Sequence, residues 1–209
     1  MRRVPLVLTA AALLLGGCTF SDSSDDAQAQ RDSLPDPAAQ PAQPAPTPRP
    51  PDLRIEVDLG ARQLHLYRGG QVVETHPVAV GSSEWPTPTG EWTIGQVIFN
   101  PRWIPPEESW AEDEEEVEPG DPDNPLGRAQ LVYAAPNSIH GTDEPESLGQ
   151  AVSHGSIRVA NDVAVRLARA VMEAGGAPRD EAWFAQAQRD STQRQEVVIP
   201  NPVPIVVKD

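Results

Sequence analysis

Two of the four histidines stand near a hydroxyl able to attack a carbonyl: His140, in Ile139-His140-Gly141-Thr142, and His154, in Ser153-His154-Gly155-Ser156-Ile157-Arg158. Ser156 follows His140 by sixteen positions. A serine hydroxyl becomes a useful nucleophile only when a base takes its proton during attack, and that base needs a third group to fix its tautomer. Asp143 and Glu144, just beyond the Gly141-Thr142 turn, are the nearby carboxylates for that post. The main chain at Gly155 and Ser156 offers N–H donors to a developing oxyanion, because glycine lets backbone approach closely. A zinc hydrolase would use His140 and His154 as ligands, but no third ligand stands at a recognisable spacing, so neither a metal nor another cofactor is expected. Acyl transfer through Ser156, ligand binding without turnover at the same place, and a different serine hydrolysis all remain open. His65 and His76 have no acidic or histidine partner at ligand spacing and are read as structural.

The elements that must position these residues are mostly strands. Leu53, Ile55, Val57 and Leu59 alternate with Arg54, Glu56 and Asp58, the pattern of a half-buried strand. Gly60-Ala61 turns the chain into a second strand through Leu64 and Leu66, and Gly69-Gly70 turns it into a third from Val72 to Val80. Thr87-Pro88-Thr89-Gly90 is a turn feeding another strand. After Arg158, Asn161 or Asp162 is placed to cap a helix whose apolar positions Val163, Leu167 and Val171 recur every four residues. Gly175-Gly176 end it, Pro178 prevents its restart, and a second short helix is expected from Asp180 to Arg189. Val197 to Ile199 and Val203 to Val207, split by prolines, read as two strands closing the sheet. Mostly strands with one main helix after the histidine-serine stretch predicts a mainly β, sandwich-like domain.

Ahead of that domain the composition is different. Arg2-Arg3 and the apolar run from Val4 to Leu15 form a segment too short to span a bilayer and suited to a secretory signal over residues 1–17. Leu15-Gly16-Gly17-Cys18 resembles a bacterial lipobox, which implies cleavage before Cys18 and acylation of the only cysteine. Residues 18–51 then follow as a lipidated cysteine and a tether of Ser, Asp, Gln, Ala and Pro, with too little apolar surface to offset the entropy of ordering. The folded part is expected over 52–209. A formal net charge of −15 argues against nucleic acid, whose phosphates require Lys and Arg. The run from Glu107 to Glu118 is read as a solvated loop, since charges of one sign this dense repel one another.

The stretch Ile139 to Thr142 together with Ser153 to Arg158 resembles the signature of the YkuD-type L,D-transpeptidases (ErfK/YbiS-like), a His-Gly pair followed by Ser-His-Gly-Cys-Ile-Arg, with Ser156 at the cysteine position. Thr87 to Gly90, Asn100-Pro101-Arg102-Trp103 and Asn124-Pro125-Leu126-Gly127 resemble further segments of the family, in family order. The resemblance implies a β-sandwich of mixed sheets acting on or binding tetrapeptide stems of peptidoglycan. In that chemistry the nucleophile attacks the diaminopimelate–D-Ala amide, D-Ala leaves, and the acyl group passes to an amine of a second stem or of a lipoprotein. Carried over by position, Ser156 is the nucleophile, His140 the proton acceptor, Gly141 the residue whose backbone supports that histidine, and His154 and Arg158 the other polar positions; Gly155 and Ser156 supply the oxyanion donors. The implied location is the periplasmic side of the cell envelope, on a membrane through the lipid at Cys18.

Overall fold

The structure is a computed structural model that describes residues 51–209; the signal, Cys18 and all of the tether but Pro51 lie outside the described residues. The alternation at the start of the domain forms β1 (Leu53–Asp58), followed by β2 (Gln63–Arg68) and β3 (Gln71–Pro77). Leu53, Ile55 and Val57 are buried, as their spacing requires. Glu56 is buried as well, against expectation, because Lys208 Nζ at 2.5 Å and Arg54 Nη1 at 2.9 Å meet its carboxylate. The third strand ends at Pro77 rather than Val80. Its continuation breaks away as β4 (Val80–Gly81), which pairs in parallel with β8 (Ala151–Ser153) in a separate two-stranded ribbon.

The remaining strands are β5 (Gly90–Phe99), β6 (Ala129–Ala134), β7 (Asn137–His140), β9 (Ile157–Arg158) and β10 (Gln195–Lys208). They join the first three in an eight-stranded mixed sheet ordered β3-β2-β1-β10-β5-β6-β7-β9. The last strand lies in the middle, parallel to β1 and antiparallel to β5, and the histidine-serine stretch lies at the opposite end from β3. The two expected C-terminal strands are one. Its register against β5 breaks between Val198 and Val203, where Pro200 and Pro202 stand, and the Asn201 N–H between them donates to Gly175 O at 2.9 Å. Prolines are tolerated there because the ladder already needs no donor from them.

Helix α1 (Asn161–Ala174) lays Val163, Ala164, Leu167, Ala168, Val171 and Met172 on the sheet, and α2 (Glu181–Arg189) adds Phe184 and Ala187 to the same core. The mainly β fold with one main helix after the motif is the expected class. The cap of α1 differs: Ala160 precedes the helix and no side chain caps it. Asp162 pairs instead with Arg166, one turn on, at 2.6 Å, and Asn161 is engaged elsewhere. Helix α2 starts one residue after the expected Asp180, which caps it by accepting the Trp183 N–H at 2.8 Å.

Candidate active site

Strand pairing brings the predicted residues together. Strands β7 and β9 run parallel with Ile139 opposite Ile157 and His140 opposite Arg158, and β6 places Gln130 opposite His140. Side chains alternate across a sheet, so the fully buried Ile139, Ile157 and Leu131 take the core face. Gln130, His140, Ser156 and Arg158 line the other, in a cleft of about 290 Å³. Strand β9 is held on its second side too, since Ala79 and Arg158 exchange backbone hydrogen bonds of 3.0 and 2.9 Å.

The His140 ring is buried, and its Nδ1 lies 2.6 Å from Gly141 O. A carbonyl only accepts, so Nδ1 carries the proton and Nε2 is the basic nitrogen of the neutral ring. Burial pushes the imidazole down to about 4; the carbonyls of Gly141 and Pro125 pull the other way, and the charge of Arg158 adds to the depression. The orienting group is therefore a backbone carbonyl, not the expected Asp143 or Glu144. Glu144 turns to Arg158 instead, accepting from Nη1 at 2.5 Å.

Ser156 Oγ accepts the Ser138 N–H at 3.2 Å, a contact that stabilises negative charge on that oxygen. The turn carrying it is tight. Gly155 has φ +100, the left-handed region that favours glycine, and a Cβ there would also have to displace the Asn137 amide, whose Oδ1 would lie 2.9 Å away. Ser153 braces the same turn by donating its Oγ–H to Ser156 O at 2.5 Å. His154 lines the same cleft as Ser156, with no side-chain hydrogen bond to it. It is exposed and lies flat against Trp110, with Trp85 at 6.1 Å on a tilted plane. Its pKa is lowered by partial burial first and then by Arg158. Among the described residues no three His, Cys, Asp or Glu side chains are grouped as a metal site.

The asparagines of the flanking segments are scaffolding. Asn100 is buried at φ 49, and its Nδ2 faces the carbonyls of Ala187 in the last turn of α2 and of Asp190 and Gln193 just after it, at 2.8 to 3.1 Å. Asn124 donates to Pro101 O at 2.8 Å and accepts the Leu126 N–H at 3.0 Å, which fixes the loop beside His140. The acidic run is a flap rather than a free loop. Trp103 and Val117 exchange backbone hydrogen bonds of 2.9 and 3.0 Å at its base, and Arg102 pairs with Glu116 and Glu118. Among the predicted structural histidines, His65 meets Thr75 and His76 meets Glu74 at 2.8 Å, a partner two residues along the same strand that the spacing test passed over.

Sequence reasoning assigned no site role to Ser138, Ser153, Asn161 or Trp110, although Ser153 belongs to the motif and Asn161 was placed as a helix cap. Ser138 had a signal, being two residues before His140 on the same strand face; Trp110 had none beyond being the lone aromatic in an acidic run.

Comparison with known proteins decides the family: a model of the YkuD L,D-transpeptidase catalytic domain matches residues 52–199. The chain belongs to the YkuD family. Relatives of this YkuD domain include YqjB of Bacillus subtilis, named as an L,D-transpeptidase, at 32% identity over 57% of this chain and 66% of that protein. YkuD of Bacillus licheniformis is 35% identical over 56% of this chain and 59% of that protein. ErfK/SrfK of Salmonella typhimurium is 30% identical over 52% and 38%. The chain thus spans less than two thirds of the length of these curated relatives. Solved structures that align with the YkuD domain include an L,D-transpeptidase from Mycobacterium smegmatis (16% identity, TM-score 0.46, 76% of this chain and 59% of that one). A cysteine-to-serine mutant of the Enterococcus faecium enzyme aligns at 18% identity and TM-score 0.49, over 76% and 50%.

Proposed function

We propose that the cleft is a site for tetrapeptide stems of peptidoglycan, arranged for acyl transfer at the diaminopimelate–D-Ala bond and slow at it because Ser156 is the nucleophile. Ser156 Oγ attacks the carbonyl carbon while His140 Nε2 takes its proton. The amides of Gly155 and Ser156 receive the oxyanion, the amide bond breaks, and the proton passes to the amine of departing D-Ala. An acceptor amine then attacks the acyl-serine carbonyl and gives a proton to His140 Nε2; the C–N bond forms, the ester bond to Ser156 Oγ breaks, and that proton returns to Oγ as the new amide leaves.

One observation carries the slowness: the His140 ring is buried with Nδ1 committed to Gly141 O at 2.6 Å, and that burial pushes its pKa down to about 4. A general base works best when its pKa lies near the working pH, so a ring this weakly basic is poorly matched to a hydroxyl. A thiol, ionising near ~8.5, asks far less of the same base. Stem binding asks nothing of it. The reading therefore joins an intact cleft to impaired turnover, and the sequence supports a lipid at Cys18 that holds the domain at a membrane on the periplasmic side of the envelope.

The test of the site is binding. A tetrapeptide stem titrated into the full chain should shift the ring signals of His140 and Trp110 saturably, and Arg158→Ala should weaken that binding. No saturable shift would sink the stem-site proposal. For the anchor, Cys18→Ser should move the protein from the membrane to the soluble fraction with the domain still folded; a variant that stayed with the membrane would exclude lipidation there.

A further inference from the structure

We infer that Asn161, the first residue of α1, is a positioning residue for His140. The inference rests on the proposal that His140 is the base. The Asn161 side chain bridges two segments that flank the histidine: Oδ1 accepts the Arg128 N–H at 2.8 Å and Nδ2 donates to Thr142 O at 2.9 Å. Between them lies Gly141, whose carbonyl receives His140 Nδ1 and whose N–H donates to Ala129 O at 3.0 Å. The carbonyl that sets the tautomer of the ring is thus held from β6 on one side and by Asn161 on the other.

Space around the amide supports a built contact. A Cβ at Gly127 or Gly141 would stand 2.0 or 2.1 Å from Asn161 Oδ1, and Gly127 also has φ +60. Glycine at both positions is what admits the side chain. Nor does Asn161 serve its own helix, whose start lacks any side-chain cap. An asparagine at the start of a helix ordinarily spends its oxygen on the first free N–H groups of that helix; here it is spent on the loop beside the base. Arg128 extends the brace, donating from Nε to Asn100 Oδ1 at 3.1 Å and from Nη2 to Gln188 O at 2.9 Å, so α2 is tied to the same point.

The test reads the tautomer directly, by long-range proton–nitrogen NMR of the His140 ring in the full chain, comparing the parent with Asn161→Ala and Asn161→Asp. The parent should show the Nδ1–H form alone. Both variants should show a mixture, because an aspartate keeps the acceptor for Arg128 but cannot donate to Thr142 O. With Ser156→Cys added, D-Ala release should lose roughly 10- to 100-fold in kcat, as when an orienting group behind a reacting residue is removed. KM should hold within roughly twofold. Should Asn161→Ala fail to fold, Asn161→Asp decides alone. A folded variant with the parent's single tautomer would overturn the inference. An inactive Ser156→Cys protein would count against the acyl-transfer proposal instead, since the tautomer is read without turnover.

Discussion

The Trp110 indole lies flat on the His154 imidazole, with ring centroids 3.9 Å apart and planes 6° from parallel. Trp110 belongs to the acidic flap and His154 to the turn that carries Ser156, so this stack joins the flap to the segment of Ser156. Its indole N–H is oriented in turn by Glu108 Oε2 at 2.9 Å.

Trp110→Ala should therefore release the flap without unfolding the domain. An aromatic stack is worth about 0.5–1.5 kcal/mol beyond its buried area. Amides from Trp103 to Val117 should exchange with solvent faster, while the melting temperature stays within roughly 2 °C, since the flap opens locally. The His154 pKa should rise toward its ordinary value, because partial burial is the first cause of its depression. Unchanged flap exchange would contradict the role given to the stack.

His140 gives the fold an acid sensitivity of its own. Its folded pKa is pushed down to about 4, below the ordinary value near 6.5, so the unfolded chain takes up the proton first. The stabilisation is fully present above pH ~6.5 and is lost as pH falls toward 4, by on the order of 3 kcal/mol. Denaturant unfolding across that range should show the loss, and His140→Gln should flatten most of it. His154, exposed and shifted in the same direction, leaves a smaller slope. Glu56, lowered chiefly by the Lys208 hydrogen bond, acts below the ordinary carboxylate pKa and in both proteins. A slope as steep in His140→Gln as in the parent would show that the ring is not held neutral by burial.

Asn100 should prove one of the costliest positions outside the hydrophobic core. Asn100→Ala removes the donor to three carbonyls and the acceptor for Arg128 Nε, and places a Cβ-bearing residue without a polar side chain at positive φ. A loss of about 2–4 kcal/mol in chemical unfolding is expected. Asn100→Gly should cost less, because glycine takes the left-handed backbone freely. A glycine variant less stable than the alanine one would refute the backbone part of this account.

Much of this was legible in the sequence because period-two alternation and turn chemistry are local. Leu53, Ile55 and Val57 declared β1, and Asp180 declared the start of α2. His140, Ser156 and Arg158 were legible as candidates from the motif, and the fold brings all three to one cleft. What escaped depends on distant partners. The buried Glu56 needs Lys208, at the far end of the chain, as well as its neighbour Arg54, and the continuity of β10 across Pro200 and Pro202 needs Gly175 beside Asn201. The orienting group of His140 is a carbonyl next to it in sequence, but only folding decides whether a ring turns to its backbone or to a nearby carboxylate. Asn161 looked like a helix cap until Gly127 and Gly141 were found to leave room for it elsewhere.

If the cleft holds the scissile carbonyl for acyl transfer and only the Ser156 hydroxyl is unsuited to a weakly basic His140, a thiol at that position restores turnover. Ser156→Cys and the parent are compared side by side for D-Ala release and acyl transfer to an amine from tetrapeptide stems. The parent should show little or no turnover and the variant clear turnover, with the acyl group trapped on the thiol when acceptor is withheld. A parent as fast as its variant would mean that Ser156 is well activated as it stands. A variant as inert as the parent would mean that the cleft does not hold the scissile carbonyl where His140 and the turn at Gly155 can act on it.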